Sequence, residues 1–417
     1  MDMMSEIIVL QAGPLRVPFW WEPARLNFGT GPISGLFAVV IIGGGLAGIA
    51  LAYWLARLGC RSVLLLEKGE GLCQGASGRN GGHIVPGTME FGRHVELYGP
   101  EIAQVLWDFE EEGVKEVRAI ADELAIDCGL TQTGTVSLAP DEEGLRQVYS
   151  LGALLQEQEL PVEIWDAQLC KEQVGSNVFL GGLYRPNGGQ LHPERFVLGI
   201  AAEATRRGVE IRVRTEAAQV IDHGDVLEIV TNQGNILAEH VVYATNWEVG
   251  RHVPRLRDRI YSARGQVVVT EPVDRLCRVG CGTIGGFSYW FQNPEGRFIL
   301  GGLRNMVPGA EIGVSNDAEV NPEVGKVLRA FLRQELGVSA DITHEWTGIM
   351  GFSEDSFPIV GRLPLAPNQS VIAGFGGHGM PGITHAAKEL ARMIVGEPSE
   401  GFPEIFAPRL ERFAGSV

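Results

Sequence analysis

The sequence predicts an α/β fold, and three observations carry that reading. The segment "FAVVII" (Phe37 to Ile42) is β-branched and apolar on both faces, as a strand inside a parallel sheet must be. "LAGIALAYWLARLG" (Leu46 to Gly59) then reads as a buried helix that stops at a glycine. "RSVLLLE" (Arg61 to Glu67) follows as a second buried strand closed by an acid. The uncharged run from Leu36 to Ala56 is long enough to cross a bilayer as one helix. Gly43, Gly44 and Gly45 near its middle argue against that, because each costs roughly 1 kcal/mol relative to alanine inside a helix. They read as a turn, so the run is core and not a membrane span.

That turn has a specific chemistry. In Gly43-x-Gly45-x-x-Gly48, Gly43 permits the tight bend, Gly45 lets the backbone approach a pyrophosphate, and Gly48 allows close helix–strand packing. Leu46 and Ala47 open the helix, whose free N–H groups favour phosphate. Glu67 lies 24 residues after Gly43, where a carboxylate can accept hydrogen bonds from a ribose diol, and Lys68 stands beside it. Strand, glycines, helix, strand and acid in register point to dinucleotide binding.

Composition sets the outer bounds. A chain of 417 residues, 45% hydrophobic and 20% charged, can bury a large core and divide into two domains. A net charge of −17 repels phosphate backbones and anionic lipid, so no nucleic-acid partner is expected. The local exception, "RHVPRLRDRIYSAR" (Arg251 to Arg264), reads as a solvated connection in preference to an anion-docking patch. The six cysteines form no C-x-x-C, and Cys277 and Cys281 have no histidine pair nearby, so reduced thiols and no metal are expected. The first residues are acidic where a signal peptide needs basic ones, which makes the cytoplasm the expected location.

Beyond Glu67 the chain departs from a nicotinamide dehydrogenase. "GLCQGASGRNGGHIVPG" (Gly71 to Gly87) is a long loop rich in glycine and backbone donors, suited to wrapping a bulky ligand. Far downstream, "SVIAGF" reads as a strand, "GGHGMPG" as a glycine turn, and Ile383 to Val395 as an apolar-periodic helix. One extended cofactor held at both ends accounts for two such units hundreds of residues apart.

These motifs carry a family resemblance. "VVIIGGGLAGIALAYWLARLG", "GASGRNGG", "GGQLHPERFVLGIAAEATRRGVEI", "TNQGNILAEHVVYATN", "GRFILGG" and "WTGIMGFSEDSFPIVGRLP" followed by "GFGGHGM" resemble the D-amino-acid oxidase-like flavoproteins, which include glycine and sarcosine oxidases. "GASGRNGG" and "GFGGHGM" are most similar to the γ-glutamylputrescine oxidoreductase branch. The resemblance spans Phe37 to Glu397 and implies FAD. It also implies a Rossmann-like FAD/NAD(P)-binding domain of the glutathione-reductase type 2, interleaved with an α+β substrate domain whose sheet is mixed and mainly antiparallel. The FAD domain would combine 37–95, 191–252 and 346–417, and the substrate domain 96–190 and 253–345. Residues 1–36 form an N-terminal extension in which Trp20 and Trp21 cover a neighbouring element or close a substrate mouth.

The remaining elements follow from periodicity. Glu101 to Asp127 reads as a long helix with an apolar stripe and an acidic face, and Thr133 to Pro140 as a strand. Arg195 to Thr215 is a helix passing into a strand after Gly208. "RGQVVVTEP" and "GRFILGG" are further strands.

By resemblance, Ser77, Arg79, Asn80, Gly81 and Gly82 line the pyrophosphate and the isoalloxazine edge. Gly376, Gly377, His378, Gly379 and Met380 close over the ribityl chain and the C2=O end. Ala218 sits beside the adenine, and Thr245 and Asn246 end a strand near the pyrophosphate. His378 either takes a proton from a substrate ammonium or only braces the turn, and His83 is a second pocket candidate. Met350 stands where sarcosine oxidases place the cysteine bonded to flavin, and Asn80 lies nearest the linking histidine of other relatives, so non-covalent FAD is expected. Met350 also occupies the place of the carboxylate-binding arginine of amino-acid oxidases. Tyr289, Trp290, Phe291 and Met350 are the expected pocket walls, and Arg264 is the remaining arginine for a carboxylate. No lysine lies between 253 and 305, where sarcosine oxidases activate oxygen, so O₂ or another electron acceptor both stay open. The expected activity is oxidation of the C–N bond of a primary or secondary amine. The alternatives are an amino-acid oxidase or dehydrogenase and a non-catalytic FAD-binding subunit.

Overall fold

The computed structural model describes residues 13–22, 28–88, 90–399 and 401–413. The first twelve residues, on which the targeting expectation rests, lie outside the described residues. The strand Leu36–Ile42 runs parallel to Val63–Leu66 on one side and to Gly234–Tyr243 on the other. Val63–Leu66 pairs in turn with Glu210–Arg212, and Gly234–Tyr243 with Ala366–Ala373, again in parallel. Ile359–Leu363 closes one edge antiparallel, and the strands Ala217–Asp222 and Leu227–Thr231 branch off the middle of the sheet.

The uncharged opening run resolves as read. Leu36–Ile42 is a strand, the glycines turn, and Leu46–Arg57 is a helix whose residues Ile49 to Leu55 are all buried. A helix apolar on every side needs cover on every side. It gets it from Pro193–Arg206 and Gly379–Val395, which pack along its flanks. Among the described residues no helix is long and apolar enough to cross a membrane.

A second eight-stranded sheet is antiparallel except where Gly280–Thr283 runs alongside Thr135–Ala139. Its order, from Ile342–Ser353 through Ile260–Thr270, Phe298–Gly302 and Ser288–Gln292 to Gly280–Thr283, ends on Thr135–Ala139, Gly181–Arg185 and Glu163–Asp166. Ile342–Ser353 belongs wholly to this sheet, so position 346, the expected domain boundary, falls inside a continuous strand. The long helix is Pro100–Glu123, ending four residues before the expected Asp127. The final helix starts at Gly379, inside the segment read as a turn, because glycine and proline are tolerated in a first helical turn whose N–H groups have no intrahelical acceptor. All six cysteines are free thiols.

Two consequences can be measured. A Cβ on Gly48 would lie 2.0 Å from the Gly43 carbonyl oxygen, a backbone atom fixed by the sheet. Gly48→Ala should therefore lower the unfolding free energy by about 2 kcal/mol or more in urea melts. His240 is buried with Nε2 2.9 Å from Ser370 Oγ, and burial lowers its pKa to about 4. The unfolded chain takes up that proton near pH 6.5. Stability from this group is thus intact above about pH 7 and falls as pH drops through 6.5 toward 4. Urea midpoints at pH 7 and 5 should differ less in His240→Gln than in the parent.

Candidate active site

A cavity of about 620 Å³ lies where the two sheets meet, lined from both ends of the chain. At one end is the first glycine turn. Gly43 adopts φ +117°, and a Cβ there would meet the Ala244 carbonyl at 2.5 Å, so no other residue fits the bend. The Leu46 amide, at the helix start, donates to Ser77 Oγ at 2.9 Å, which ties the next loop to the turn. Glu67 accepts from the Gly44 and Gly69 amides at 2.8 and 2.6 Å and lines the cavity beside Lys68, which is ion-paired to Glu248. Gly45, Ala47, Thr245 and Asn246 complete this region, and Thr245 Oγ1 is buried without a partner among the described residues. Arg251 touches the cavity's edge while staying exposed and paired with Glu216 and Glu248, and Arg255 and Arg257 are exposed too, in keeping with a solvated connection.

The glycine-rich loop is held from inside and behind. Asn80 Nδ2 donates to the Ser77 carbonyl at 2.7 Å, and its Oδ1 accepts from the Gly82 amide at 2.7 Å. Two buried indoles hold the loop's carbonyls: Trp20 Nε1 donates to Asn80 and Trp346 Nε1 to Arg79. Trp20 thus covers a neighbouring element and does not close a mouth. Arg79 donates to the Thr347 carbonyl at 2.9 Å and stacks 4.7 Å from the Trp21 ring.

The opposite end is the second glycine turn. Gly376, Gly377, His378, Gly379 and Met380 all line the same cavity. Asn80 Nδ2 also lies 3.7 Å from Met380 Sδ, so the loop after the first unit touches the helix start of the second. The two glycine units, more than three hundred positions apart in sequence, form one site. A family model described as FAD dependent oxidoreductase matches residues 38–393. The chain belongs to the DAO family of FAD-dependent oxidoreductases.

It is 28% identical over 387 residues to the γ-glutamylputrescine oxidoreductase of Escherichia coli (strain K12), covering 87% of this chain and 84% of that protein. Its fold is similar to that of glycine oxidase from Geobacillus kaustophilus, with TM-score 0.77, 20% identity, and coverage of 90% of this chain and 98% of that one. The L-proline dehydrogenase of P. horikoshii is equally close in fold, with TM-score 0.77, 22% identity, and coverage of 91% and 99%.

FAD is the cofactor of the family, and the residues present suit it. The cavity is long, its glycines leave backbone bare where a Cβ would collide, and a helix start opens onto it at each end. His378 precedes the helix Gly379–Val395, and its ring is open to the cavity. The protein crowded around it, more than the Arg185 charge, lowers its pKa, against an opposing pull from Glu90. His83 is lowered further, to about 4, by burial; its Nε2 donates to the Trp290 carbonyl at 3.2 Å. Burial pushes the Tyr289 phenol up, and its ring packs edge-on to His83 at 5.5 Å.

Several expected positions need correction. Ala218 is exposed and Ala217 lines the cavity, since alternate strand residues face opposite ways. Gly48 lies behind the wall in the close packing expected of it, and Gly82, expected to line the cofactor, lies behind the wall too, where a Cβ would meet the Leu191 carbonyl at 2.4 Å. Arg264 is outside the cavity, ion-paired to Glu311 and donating to the carbonyls of Asn316 and Glu319. Of the four expected pocket walls only Tyr289 and Met350 line the cavity. Trp290 packs on Phe179 and Phe331, and Phe291 on the His83 ring. The sequence reading missed Tyr261, Ser137, Phe352, Phe287 and Arg304, all on the wall. Arg304 stands two positions after the recognised "GRFILGG" motif, so its neighbourhood was already marked.

Asn80 is the hinge of this arrangement. Asn80→Ala removes three hydrogen bonds within the loop, to Ala76, Ser77 and Gly82, and the Met380 contact. It should raise the dissociation constant for FAD roughly 10-fold, measured by flavin release on ultrafiltration and by reconstitution of apoprotein.

Proposed function

We propose that this enzyme oxidises the C–N bond of a primary or secondary amine, with FAD held non-covalently and an imine as product. Bound FAD would supply the acceptor for a hydride from the substrate α-carbon. The chain's own residues supply the rest. His378 is neutral at neutral pH, since its pKa lies below the usual 6.5, and it is open to the cavity. It can therefore take a proton from an entering ammonium and leave the amine lone pair free. His83 is too weak a base for that task and serves as packing and hydrogen-bonding wall. Tyr261, Phe287, Tyr289 and Phe352 bring ring faces and edges that exclude water and suit a cationic amine. The start of the helix Gly379–Val395 adds a positive end for negative charge that develops beside it.

The observation that carries this reading is the Asn80–Met380 contact, which sets His378 on the wall of the cavity that begins at the Gly43 turn. The amine class accords with the name of the Escherichia coli relative. Met350 and Asn80, in place of a cysteine and a histidine, support dissociable flavin. An amino-acid substrate is the second reading, favoured by Arg304 on the cavity wall. Of the five lysines, Lys68 alone lines the cavity, at the glycine-turn end, so the acceptor is decided by experiment.

Anaerobic mixing with a panel of amines and amino acids should bleach the visible flavin band with at least one amine. Bleaching by hydroxy acids alone would refute the proposal, and flavin inert to every reductant would favour a non-catalytic subunit. Admission of air then separates oxidase from dehydrogenase by the rate at which colour returns.

A further inference from the structure

Arg185 is 1% exposed, on the strand Gly181–Arg185, and its charge is only partly answered. Its Nη1 donates to Ser137 Oγ at 3.1 Å, while Nε and Nη2 have no partner among the described residues. Glu111 attracts it without forming an ion pair among the described residues, and burial weakens that carboxylate by raising its own pKa. Burial lowers the guanidinium pKa to about 10, so it remains a cation at neutral pH. The Trp107 ring lies 6.0 Å from its guanidinium carbon, and a buried charge with so incomplete a set of hydrogen bonds is costly to hold. Its field is felt in the cavity, where it helps lower the pKa of His378.

Ser137 turns this charge into a directed contact. A serine oxygen that accepts from a guanidinium keeps one proton to donate. Ser137 lines the cavity, and none of the hydrogen bonds among the described residues uses that proton. The strand Thr135–Ala139 fixes its position, pairing Ser137 with Leu183 on one side and Gly282 on the other. The wall therefore offers a hydroxyl donor with a cation directly behind it. A neutral acceptor would use the hydroxyl alone, whereas a carboxylate uses the hydroxyl and the charge together.

From this geometry we infer that Ser137 binds a carboxylate group of the ligand, with Arg185 as a positioning residue that orients the hydroxyl and supplies the positive field. The inference rests on the cavity being the substrate site proposed above, and it narrows the substrate to an amine that also bears a carboxylate. The anchor is distinct from Arg264, which is occupied elsewhere, and from Arg304, which donates to the Ala310 carbonyl and stacks on Phe352.

The test uses benzoate and its neutral counterpart benzamide, titrated into the flavin-loaded enzyme and followed both by flavin absorbance and by calorimetry. Ser137→Ala and Arg185→Met should each weaken benzoate about 10-fold or more; benzamide should weaken by a clearly smaller factor in Ser137→Ala, which costs it one neutral hydrogen bond, and less than about twofold in Arg185→Met, and Ser137→Thr should restore benzoate binding. Equal weakening of both ligands, or an unchanged benzoate affinity in Ser137→Ala, overturns the inference. So does loss of benzoate binding in Arg304→Met with none in Ser137→Ala, which assigns the anchor to Arg304. Should Arg185→Met fold poorly, the serine pair decides alone. Discrimination intact while no amine reduces the flavin refutes the proposed function and leaves this subsite standing; amine oxidation with no loss of discrimination in Ser137→Ala does the reverse.

Discussion

The parallel pairing of three strands is the constraint on which the rest depends. Leu36–Ile42, Gly234–Tyr243 and Ala366–Ala373 lie side by side and in the same direction. Their carboxyl ends therefore open at one edge of the sheet, where ligands bind in such folds. The Gly43 turn, Thr245 with Asn246, and the second glycine turn each follow one of those strands. Register does what no local sequence could do, because it brings segments separated by more than a hundred to more than three hundred residues to a common edge. Asn246 shows how close the junction is: its Oδ1 accepts from the Gly374 amide at 3.3 Å, joining the second strand end to the third.

The second sheet supplies the other wall, and its strand alternation sorts residues by role. In Ser288–Gln292, Tyr289 faces the cavity while Trp290 turns into a separate core with Phe179 and Phe331. In Ile342–Ser353, Trp346 and Met350 share a face, and distance along the strand separates them: Trp346 is spent on the Arg79 carbonyl and Met350 reaches the cavity. Aromatic residues thus divide between holding the glycine loop and shaping the pocket. The holding role is a physical necessity. A loop rich in glycine has little side chain to fix it, so its carbonyls are fixed by indoles from outside.

Histidines illustrate the same division. His240 is held neutral by burial and bonded to Ser370 within the first sheet. His83 is neutral and packed between Tyr289 and Phe291. His83 and His378 both line the cavity with lowered pKa values, but His378 is the more exposed of the two and stands just ahead of a helix start. Burial that makes one imidazole inert leaves another available as a base, and the difference is exposure toward the ligand.

The sequence by itself determined the first glycine unit, the acid at Glu67, the buried character of the opening run and the existence of a second glycine unit, because each depends on contacts within some thirty residues. Side-chain facing was harder. Ala218 was misplaced by one position, since a strand of period two reverses its faces with each residue and its start is not marked in the sequence. Arg264 could not be separated from Arg304 by residue type, although one lies within the strand Ile260–Thr270 and the other just after Phe298–Gly302. Only the tertiary structure gives Glu311 to the first and the cavity to the second. The donor at Ser137 was likewise invisible, because its direction is set by Arg185, on a strand 48 residues away, whose charge acquires meaning only once it is buried.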